Sequence, residues 1–364
     1  MDSLTQAAFG AIVGERVLGR HLGRRALAWG ALVGTLPDLD ILANPWLDSI
    51  DELRWHRGIS HSVIGILVGA LATSWVLFRW WNRKGARYCP GPEGPPGLRR
   101  IALFVVLNFA THVLIDCFTV YGTQLWEPFS DRRFGLNNFF IIDPLFTLPM
   151  LVWIVAALFR REKPGRASPG WAWGCGLAIT GYLAFSFIAQ ATASRRFDRD
   201  LAEAGIGPVL RREISAAPFT TLIWRGLFET EDAYYISYWA VNDSDEPLSF
   251  HRVPRRIDQL EPFIGDRVVD FVLWFSEGYL FVEPVTDTGS YVVSDLRFFE
   301  FWSTQSPSRP GTFFRWHIKP ATDGSPARFT TAPMEGREIG SIFGKLVARL
   351  RGDRGAFGPA QPTG

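Results

Sequence analysis

Long apolar stretches fill the first half of the chain and predict membrane-spanning helices. A helix needs roughly 20 residues to cross the hydrocarbon core of a bilayer, which is about 30 Å thick. Five stretches come close to that length, at residues 26–42, 62–81, 101–118, 139–159 and 172–193. A shorter one, at residues 3–19, is either a short span or a helix lying along the others. We therefore expect a membrane all-α helical bundle of about six helices over residues 1–195.

The pattern of apolar and polar positions changes after Arg195. Short runs of β-branched and aromatic residues, such as AYYISYWAVN and GYLFVEPV, alternate with Gly, Pro, Asp and Asn. This alternation is typical of antiparallel strands joined by turns. Residues 196–350 are therefore predicted to form a β-rich soluble domain, either a sandwich or a small barrel. The Gly- and Pro-rich residues 351–364 are predicted to form a flexible tail.

Basic residues mark every second loop between the predicted helices. They cluster within residues 16–25, 79–100 and 160–166, whereas the loops between hold only Arg54 and Arg57, or Arg132 and Arg133. Lys and Arg concentrate in the cytoplasmic loops of membrane proteins. The chain is therefore predicted to be a multi-pass protein of the cytoplasmic (inner) membrane, with residues 196–350 as an extracytoplasmic domain on the outer side.

Composition agrees with two unlike halves. The 364 residues are 47% hydrophobic and 20% charged, yet the mean hydropathy is only +0.06, as expected when an apolar half is averaged with an ordinary one. A net charge of +2 without a basic stripe argues against nucleic acid as a partner and leaves membrane lipids. The three cysteines lack paired spacing, so neither a disulfide framework nor a zinc knuckle is predicted.

Ionisable residues recur at one level of the predicted bundle. Such groups are costly in lipid and usually mark a site. Although the helices alternate in direction, these residues all fall near the outer ends: Asp2, Asp38, Asp40, His56, His61, His112, Asp116 and Asp143. Imidazole with carboxylate suits zinc or manganese better than calcium. We therefore predict that these eight residues hold one or two divalent metal ions at the outer face.

Each of these motifs also has a structural interpretation. The spacing of His112 and Asp116 puts both on one helix face, where they could form a buried hydrogen-bonded pair. LPDLD could end a helix and turn, and Asp2 and Asp143 could cap helices. Arg57 could extend to lipid head groups. Because the residues occur together at one membrane level, a metal site is favoured.

Five motifs in fixed order give a family resemblance: MDSLTQAAFG, LPDLD, HRGISHS, THVLIDCFTVYGTQLWEPFS and IIDP. Over about residues 1–160 they resemble the YdjM-like family of membrane-bound metal-dependent hydrolases, also described as LexA-regulated inner-membrane proteins. The resemblance implies a helical membrane domain with hydrolase chemistry. By motif position it implies ligand roles for Asp38, Asp40, His56, His61, His112 and Asp116. Many members read Asp-x-x-Thr-His at the start, where this chain has Gln6, a poor metal ligand.

The sequence thus predicts a membrane-bound metal-dependent hydrolase that acts on a lipid or head-group phosphoester through metal-activated water. Asp38 or Asp116 is the candidate general base, and Arg57 is the candidate holder of the phosphate. GxSxG is absent, which argues against a serine hydrolase. Two rival interpretations remain open. One is a catalytically silent anchor or sensor whose β domain binds an envelope partner, and the other is an ion- or proton-coupled transporter.

Overall fold

A computed structural model describes residues 1–159, 170–285, 288–302, 310–321, 327–332 and 339–358. The third basic loop, residues 160–166, and the last six residues of the predicted tail lie outside these ranges. The chain forms two compact units, Met1–Leu47 with Glu52–Phe187 and Asp48–Asp51 with Ile188–Gly364. The division at Phe187 precedes the predicted boundary at Arg195, because one long helix continues through it.

The first unit is a helical bundle. Its helices are α1 (Ser3–Leu22), α2 (Arg25–Gly34), the second part of α3 (Ser49–Trp55), α4 (Val63–Lys84), α5 (Leu98–Asp116), α6 (Pro144–Phe159) and the start of α7 (Gly170–Glu203). Of the two 3-10 segments here, Leu36–Trp46 contains the whole LPDLD motif and Ile59–His61 contains three of the seven residues of HRGISHS. The predicted order of a helical region followed by a β-rich region is confirmed.

Fewer helices can cross a membrane than the sequence pattern predicted. Among the described residues, three are long and apolar enough: Val63–Lys84, Leu98–Asp116 and Ala172–Glu203. A fourth is possible if Arg25–Gly34 and Leu36–Trp46, which meet at 46°, count as one span. Helix α6 is apolar but shorter. Helix α1 is long enough, but Glu15, Arg16 and Arg20 lower its apolar character.

The predicted span at residues 26–42 is not one continuous helix. Helix α2 ends at Gly34, and the chain continues as the 3-10 segment Leu36–Trp46. Pro37 explains the break, because proline has no N–H and disfavours the α conformation of the residue before it. Asp38 and Asp40 therefore lie on a separate segment rather than in the last turn of a helix.

Glycines allow α1 and α2 to cross with their backbones in contact. A Cβ added at Gly30 would lie 2.1 Å from the carbonyl oxygen of Gly10. A Cβ added at Gly34 would lie 3.1 Å from the carbonyl oxygen of Gln6. Small residues at a helix crossing allow this approach in membrane proteins. The crossing holds the end of α2, and hence the start of the Leu36–Trp46 segment, against α1.

The second unit contains two four-stranded antiparallel sheets, in the orders β1-β2-β3-β4 and β10-β9-β6-β5, and a strand pair β7-β8. The strands are β1 (Arg211–Ala216), β2 (Ile223–Glu229), β3 (Ala233–Ala240), β4 (His251–Pro254), β5 (Leu280–Val285), β6 (Ser290–Asp295), β7 (Glu300–Trp302), β8 (Pro310–Thr312), β9 (Arg315–Lys319) and β10 (Arg328–Thr331). Helices α8 (Arg267–Phe275) and α9 (Ile339–Leu350) complete the unit. Each sheet order has two ends, so the described strands form open sheets rather than a closed barrel.

One apolar core holds the second unit together. It includes Ile236 of β3, Phe281 of β5 and Leu346 of α9, so both sheets and a helix contribute. Phe357 joins the same core, with its ring centroid 5.3 Å from that of Tyr238. Residues 351–358, which the sequence placed in a flexible tail, are therefore partly packed.

Candidate metal centre

Four polar side chains of the first unit converge on one point. His61 Nε2 lies 3.2 Å from His112 Nε2. Asp38 Oδ1 lies 3.4 Å and 3.3 Å from these two nitrogens, and Asp116 Oδ2 lies 3.3 Å from each. All four atoms are within 4.8 Å of one another. We call Asp38, His61, His112 and Asp116 the donor group.

Three separate segments supply the donor group. His112 and Asp116 lie one turn apart on α5, so a regular helix puts them on one face. His61 closes the 3-10 turn Ile59–His61 just before α4. Asp38 comes from the 3-10 segment that follows the break at Pro37. The helix spacing was readable from the sequence, whereas the meeting of the three segments depends on the fold.

Hydrogen bonds on the outer side of each ring determine which nitrogen faces the centre. His112 Nδ1 lies 2.6 Å from the carbonyl oxygen of Gly34. Since a carbonyl only accepts, Nδ1 carries the hydrogen and donates it. The Ser60 hydroxyl donates to Asp40 Oδ2 at 3.1 Å, so Ser60 Oγ accepts from His61 Nδ1 at 2.9 Å. In the neutral rings both Nε2 atoms therefore present lone pairs to the centre.

This arrangement fits a divalent cation. Two nitrogen lone pairs and two carboxylate oxygens face one another, and Asp116 Oδ2 is buried without a hydrogen-bond partner. The five separations given above run from 3.2 to 3.4 Å. The sixth separation, between the two carboxylate oxygens, is within 4.8 Å. Four atoms spaced in this way can all lie about 2.0 to 2.4 Å from one central point, close to the usual zinc–nitrogen and zinc–oxygen distances. The four acceptor atoms repel one another, and a cation at this point would attract all of them.

The donor group is open on one side. The side chains of His61, His112 and Asp116 are at most 1% exposed, whereas that of Asp38 is 22% exposed. Asp38 is therefore the member of the donor group that solvent reaches.

The second oxygen of Asp116 is already occupied by donors. Asp116 Oδ1 accepts from Gln6 Nε2 at 3.1 Å, lies 3.0 Å from Arg57 Nη2, and contacts the amino group of Met1. Only Oδ2 remains directed at the centre. Gln6 therefore supports Asp116 and is not a member of the donor group. No sequence signal indicated this contact beyond the position of Gln6 in the first motif.

Arg57 is a buried positioning residue in this structure. Besides Asp116, its guanidinium donates to Thr119 Oγ1 at 3.1 Å and lies over the ring of Tyr121. Its backbone is left-handed, with φ of 58°, a conformation that a non-glycine residue keeps only when neighbours fix it. The Arg57 N–H donates to Asp40 Oδ2 at 3.0 Å. Its observed partners are thus the Asp116 carboxylate and its surroundings, rather than an open position for the predicted phosphate.

Asp40 and His56 lie outside the donor group and form a second layer around it. His56 Nδ1 is 3.2 Å from Asp40 Oδ1, and Asp40 Oδ2 accepts from Ser60 and Arg57. Asp40 thereby holds the hydroxyl that orients His61. The sequence grouped Asp40 and His56 with the ligands because spacing alone does not distinguish a ligand from the residue that orients it.

Asp2 and Asp143 also lie outside the donor group, and both cap helices. Asp2 accepts from the backbone N–H of Thr5 at 3.0 Å at the start of α1. Asp143 Oδ1 accepts from the N–H groups of Leu145 and Phe146 at the start of α6, and its Oδ2 accepts from the Tyr182 hydroxyl at 2.9 Å. The capping interpretation of these two residues describes their contacts, and their predicted ligand roles are not supported by this geometry.

Comparison with known proteins places the helical region in a family. The model of the YdjM inner membrane protein family matches residues 1–193. The chain belongs to the YdjM inner membrane protein family. The YdjM match contains the whole donor group and ends before β1, so it concerns the helical region and supports an inner-membrane location.

Two relatives of this YdjM-family chain are known by name. Inner membrane protein YbcI of Escherichia coli (strain K12) is 28% identical over 134 residues, which cover 36% of this chain and 69% of the relative. Uncharacterized protein YfhP of Bacillus subtilis (strain 168) is 25% identical over 172 residues, which cover 45% of this chain and 48% of the relative. The match thus spans about half of YfhP. No solved structure matches the chain.

Proposed function

We propose that this YdjM-family protein is a membrane-bound metal-dependent hydrolase whose donor group holds one zinc or manganese ion. The observation that carries the proposal is the buried pair of imidazole lone pairs that face the oxygens of Asp38 and Asp116. Imidazole with carboxylate is a donor set for these metals. One ion is proposed rather than two because Asp116 Oδ1 is already held by Gln6 and Arg57.

The different burial of Asp38 and Asp116 assigns them different roles in this proposal. A bound divalent ion supplies a Lewis acid that activates water and polarises a phosphoryl oxygen. Asp38 is the accessible carboxylate, so it is the residue placed to accept a proton from the attacking water. Asp116 is fully buried and fixed by Gln6 and Arg57, so it acts as a ligand. Arg57 orients Asp116 and offsets its charge.

The substrate proposed for this site is a lipid or head-group phosphoester. The donor group lies at the end of one spanning helix, α5, and next to the start of another, α4. A membrane protein places such positions near the head groups, where lipid phosphates are found. Placement of the second unit on the outer side stays a prediction from the distribution of Lys and Arg.

A hydrolysis assay tests this function. The detergent-purified chain, loaded with zinc or manganese, is offered phosphatidic acid and a phosphodiester lipid. Turnover is expected, EDTA should abolish it, and the metal should restore it. Asp38→Asn should lose at least about 100-fold in kcat, the order expected for loss of a general base. Asp143→Asn, a change of the same kind outside the donor group, should retain activity.

If the metal-loaded wild type hydrolyses neither ester, the proposal is contradicted. A bound metal without turnover would instead favour the interpretation as an anchor or sensor.

A further inference from the structure

We propose that the metal centre opens sideways into the lipid leaflet at its end of the bundle, through the segment Leu36–Trp46 lying in the membrane interface. The substrates are then phosphoesters that carry a long apolar chain. The choice of a phosphoester rests on the proposed function. The placement of the segment rests on the contacts, exposure and sequence described below.

The segment starts where the bundle ends. The carbonyl of Gly34, just before it, accepts from His112 Nδ1, and His112 lies one turn before the end of α5. Asp40, within the segment, contacts His56 and Ser60, which precede the first turn of α4. The segment therefore begins level with the ends of two spanning helices. The segment bends by 46° from α2. Because it already lies at the end of the spanning helices, we infer that it runs along the interface instead of across the bilayer.

The segment has one polar and one apolar face. Asp38 and Asp40 point toward the histidines, as their contacts show. Leu42 and Trp46 point outward, 64% and 84% exposed, and Leu39 and Ile41 are exposed as well. No other residue of LPDLDILANPW is charged. An uncharged, exposed apolar face next to a polar site is typical of a segment that contacts lipid.

Exposed apolar side chains also mark the spanning helix that starts beside the segment. Ser60, which contacts Asp40 of the segment, lies three residues before Val63, the first residue of α4. Val63, Ile64 and Leu67 are exposed, and α4 is one of three described helices that can cross the membrane, so lipid covers them there. A lipid-covered surface that starts this close to the segment favours lipid as the occupant of its apolar face.

Exposed tryptophans surround the same region. Besides Trp46, Trp55 directly precedes His56, and Trp126 follows a residue whose carbonyl accepts from the first N–H of α4. Tryptophan is enriched at the boundary between lipid and water. Three such residues on three segments near the accessible Asp38 put the opening at head-group depth. A phosphate can reach Asp38 there while its apolar chain stays against Leu39 and Leu42.

Depth measurements test the placement without any need for activity. Single cysteines at Leu42, Trp46, Leu71 and Leu210 are labelled with a nitroxide, and the protein is reconstituted in vesicles of phosphatidylcholine and phosphatidylglycerol. Electron paramagnetic resonance then compares collisions with oxygen and with a soluble nickel complex. The native cysteines are buried, so labelling of the wild type gives the background. Leu71 on α4 is the deep control, and Leu210 of the second unit is the aqueous control.

We expect labels at Leu42 and Trp46 to be shallower than at Leu71 and far less accessible to nickel than at Leu210. Nickel access equal to that at Leu210 would overturn the inference. A label at Trp46 as deep as that at Leu71 would overturn it as well, because the segment would then cross the bilayer.

Chain-length selectivity tests the substrate class. The double variant Leu42→Ser/Trp46→Ser should raise KM for dioleoyl phosphatidic acid about tenfold and leave kcat unchanged, as loss of uniform binding does. Its kinetics on a water-soluble short-chain analogue should match the wild type. Equal effects on both substrates would overturn the inference. If neither substrate is hydrolysed, the proposed function fails, while the depth measurement still decides whether the segment lies at the interface.

Discussion

Both units bury charged side chains, but they neutralise them in different ways. In the second unit, Arg225 and Glu300 form a fully buried ion pair with Nε 2.6 Å from Oε2, and the Tyr238 hydroxyl donates to the other carboxylate oxygen. Each oxygen of Glu300 therefore has a donor supplied by the protein. In the first unit, Asp38 and Asp116 each direct an oxygen toward imidazole lone pairs instead.

The difference separates a structural network from a binding site. Buried polar groups that serve only the fold are paired within the protein, because an unpaired one is strongly destabilising. Where acceptors converge on one point, as in the donor group, the partner that we propose is a cation from outside the chain.

Removing the histidines of the donor group should abolish stabilisation by metal. At a free zinc concentration about a thousandfold above Kd, binding adds about 4 kcal/mol to the free energy of unfolding. For a chain of 364 residues that is a rise in Tm of roughly 5 °C. His61→Ala/His112→Ala should show no zinc-dependent shift in a thermal melt in detergent, whereas His56→Ala should retain most of it. A shift of the same size in the double variant would show that zinc binds elsewhere.

Breaking the ion pair of the second unit should destabilise the fold regardless of zinc. Arg225→Ala leaves Glu300 buried without its main partner, which typically costs about 3–5 kcal/mol. Replacing both residues together, as Arg225→Met/Glu300→Leu, should recover most of that loss. Denaturant unfolding followed by tryptophan fluorescence measures both variants. Wild-type stability of Arg225→Ala would show that the pair contributes nothing.

Two serines of one motif should have separable effects. Ser60, whose hydroxyl is held by Asp40, orients His61 directly, so Ser60→Ala should weaken metal affinity about 10- to 100-fold, as loss of such supporting contacts does elsewhere. Ser62 instead accepts from the N–H of Gly65 as the N-cap of α4. Ser62→Ala should lower stability by about 1 kcal/mol and leave metal affinity unchanged. Competition with a fluorescent zinc chelator gives the two affinities, and equal losses would contradict the assigned roles.

The last prediction concerns pH and the second unit. Burial raises the pKa of Glu213 from 4.5 to about 7, although Arg297 opposes the rise. Between these values the folded protein binds the proton and the unfolded chain does not, so stability falls as pH rises from 4.5 to 7. We expect this group to lower Tm by roughly 5 °C across that range. Glu213→Gln should remove that part of the pH dependence, and an unchanged profile would contradict the assignment.

The sequence predicted α4 and α5 well, because an unbroken apolar run bounded by polar residues has few alternatives in a membrane protein. It failed at residues 26–42, where Pro37 divides an apolar run of apparently sufficient length. The alternation after Arg195 predicted strands, but the order of the two sheets follows from long-range pairing that local patterns do not contain.

The candidate site was predicted in the same uneven way. His112 and Asp116 were predicted as a pair because a regular helix sets their geometry. The sequence could not show that Asp38 belongs to the donor group and Asp40 does not. Both lie in a 3-10 segment, and contacts with histidines distant in sequence decide which way each carboxylate points. Asp2 and Asp143 were predicted at the same depth in the membrane as the donor group, but equal depth alone does not bring side chains together.

The most direct test of the account is the metal content of the purified protein after zinc loading and gel filtration. We expect one equivalent of zinc per chain in the wild type and in His56→Ala, and none in His61→Ala/His112→Ala. A metal-free wild type, or equal zinc in all three proteins, would contradict the assignment of Asp38, His61, His112 and Asp116 as a metal centre.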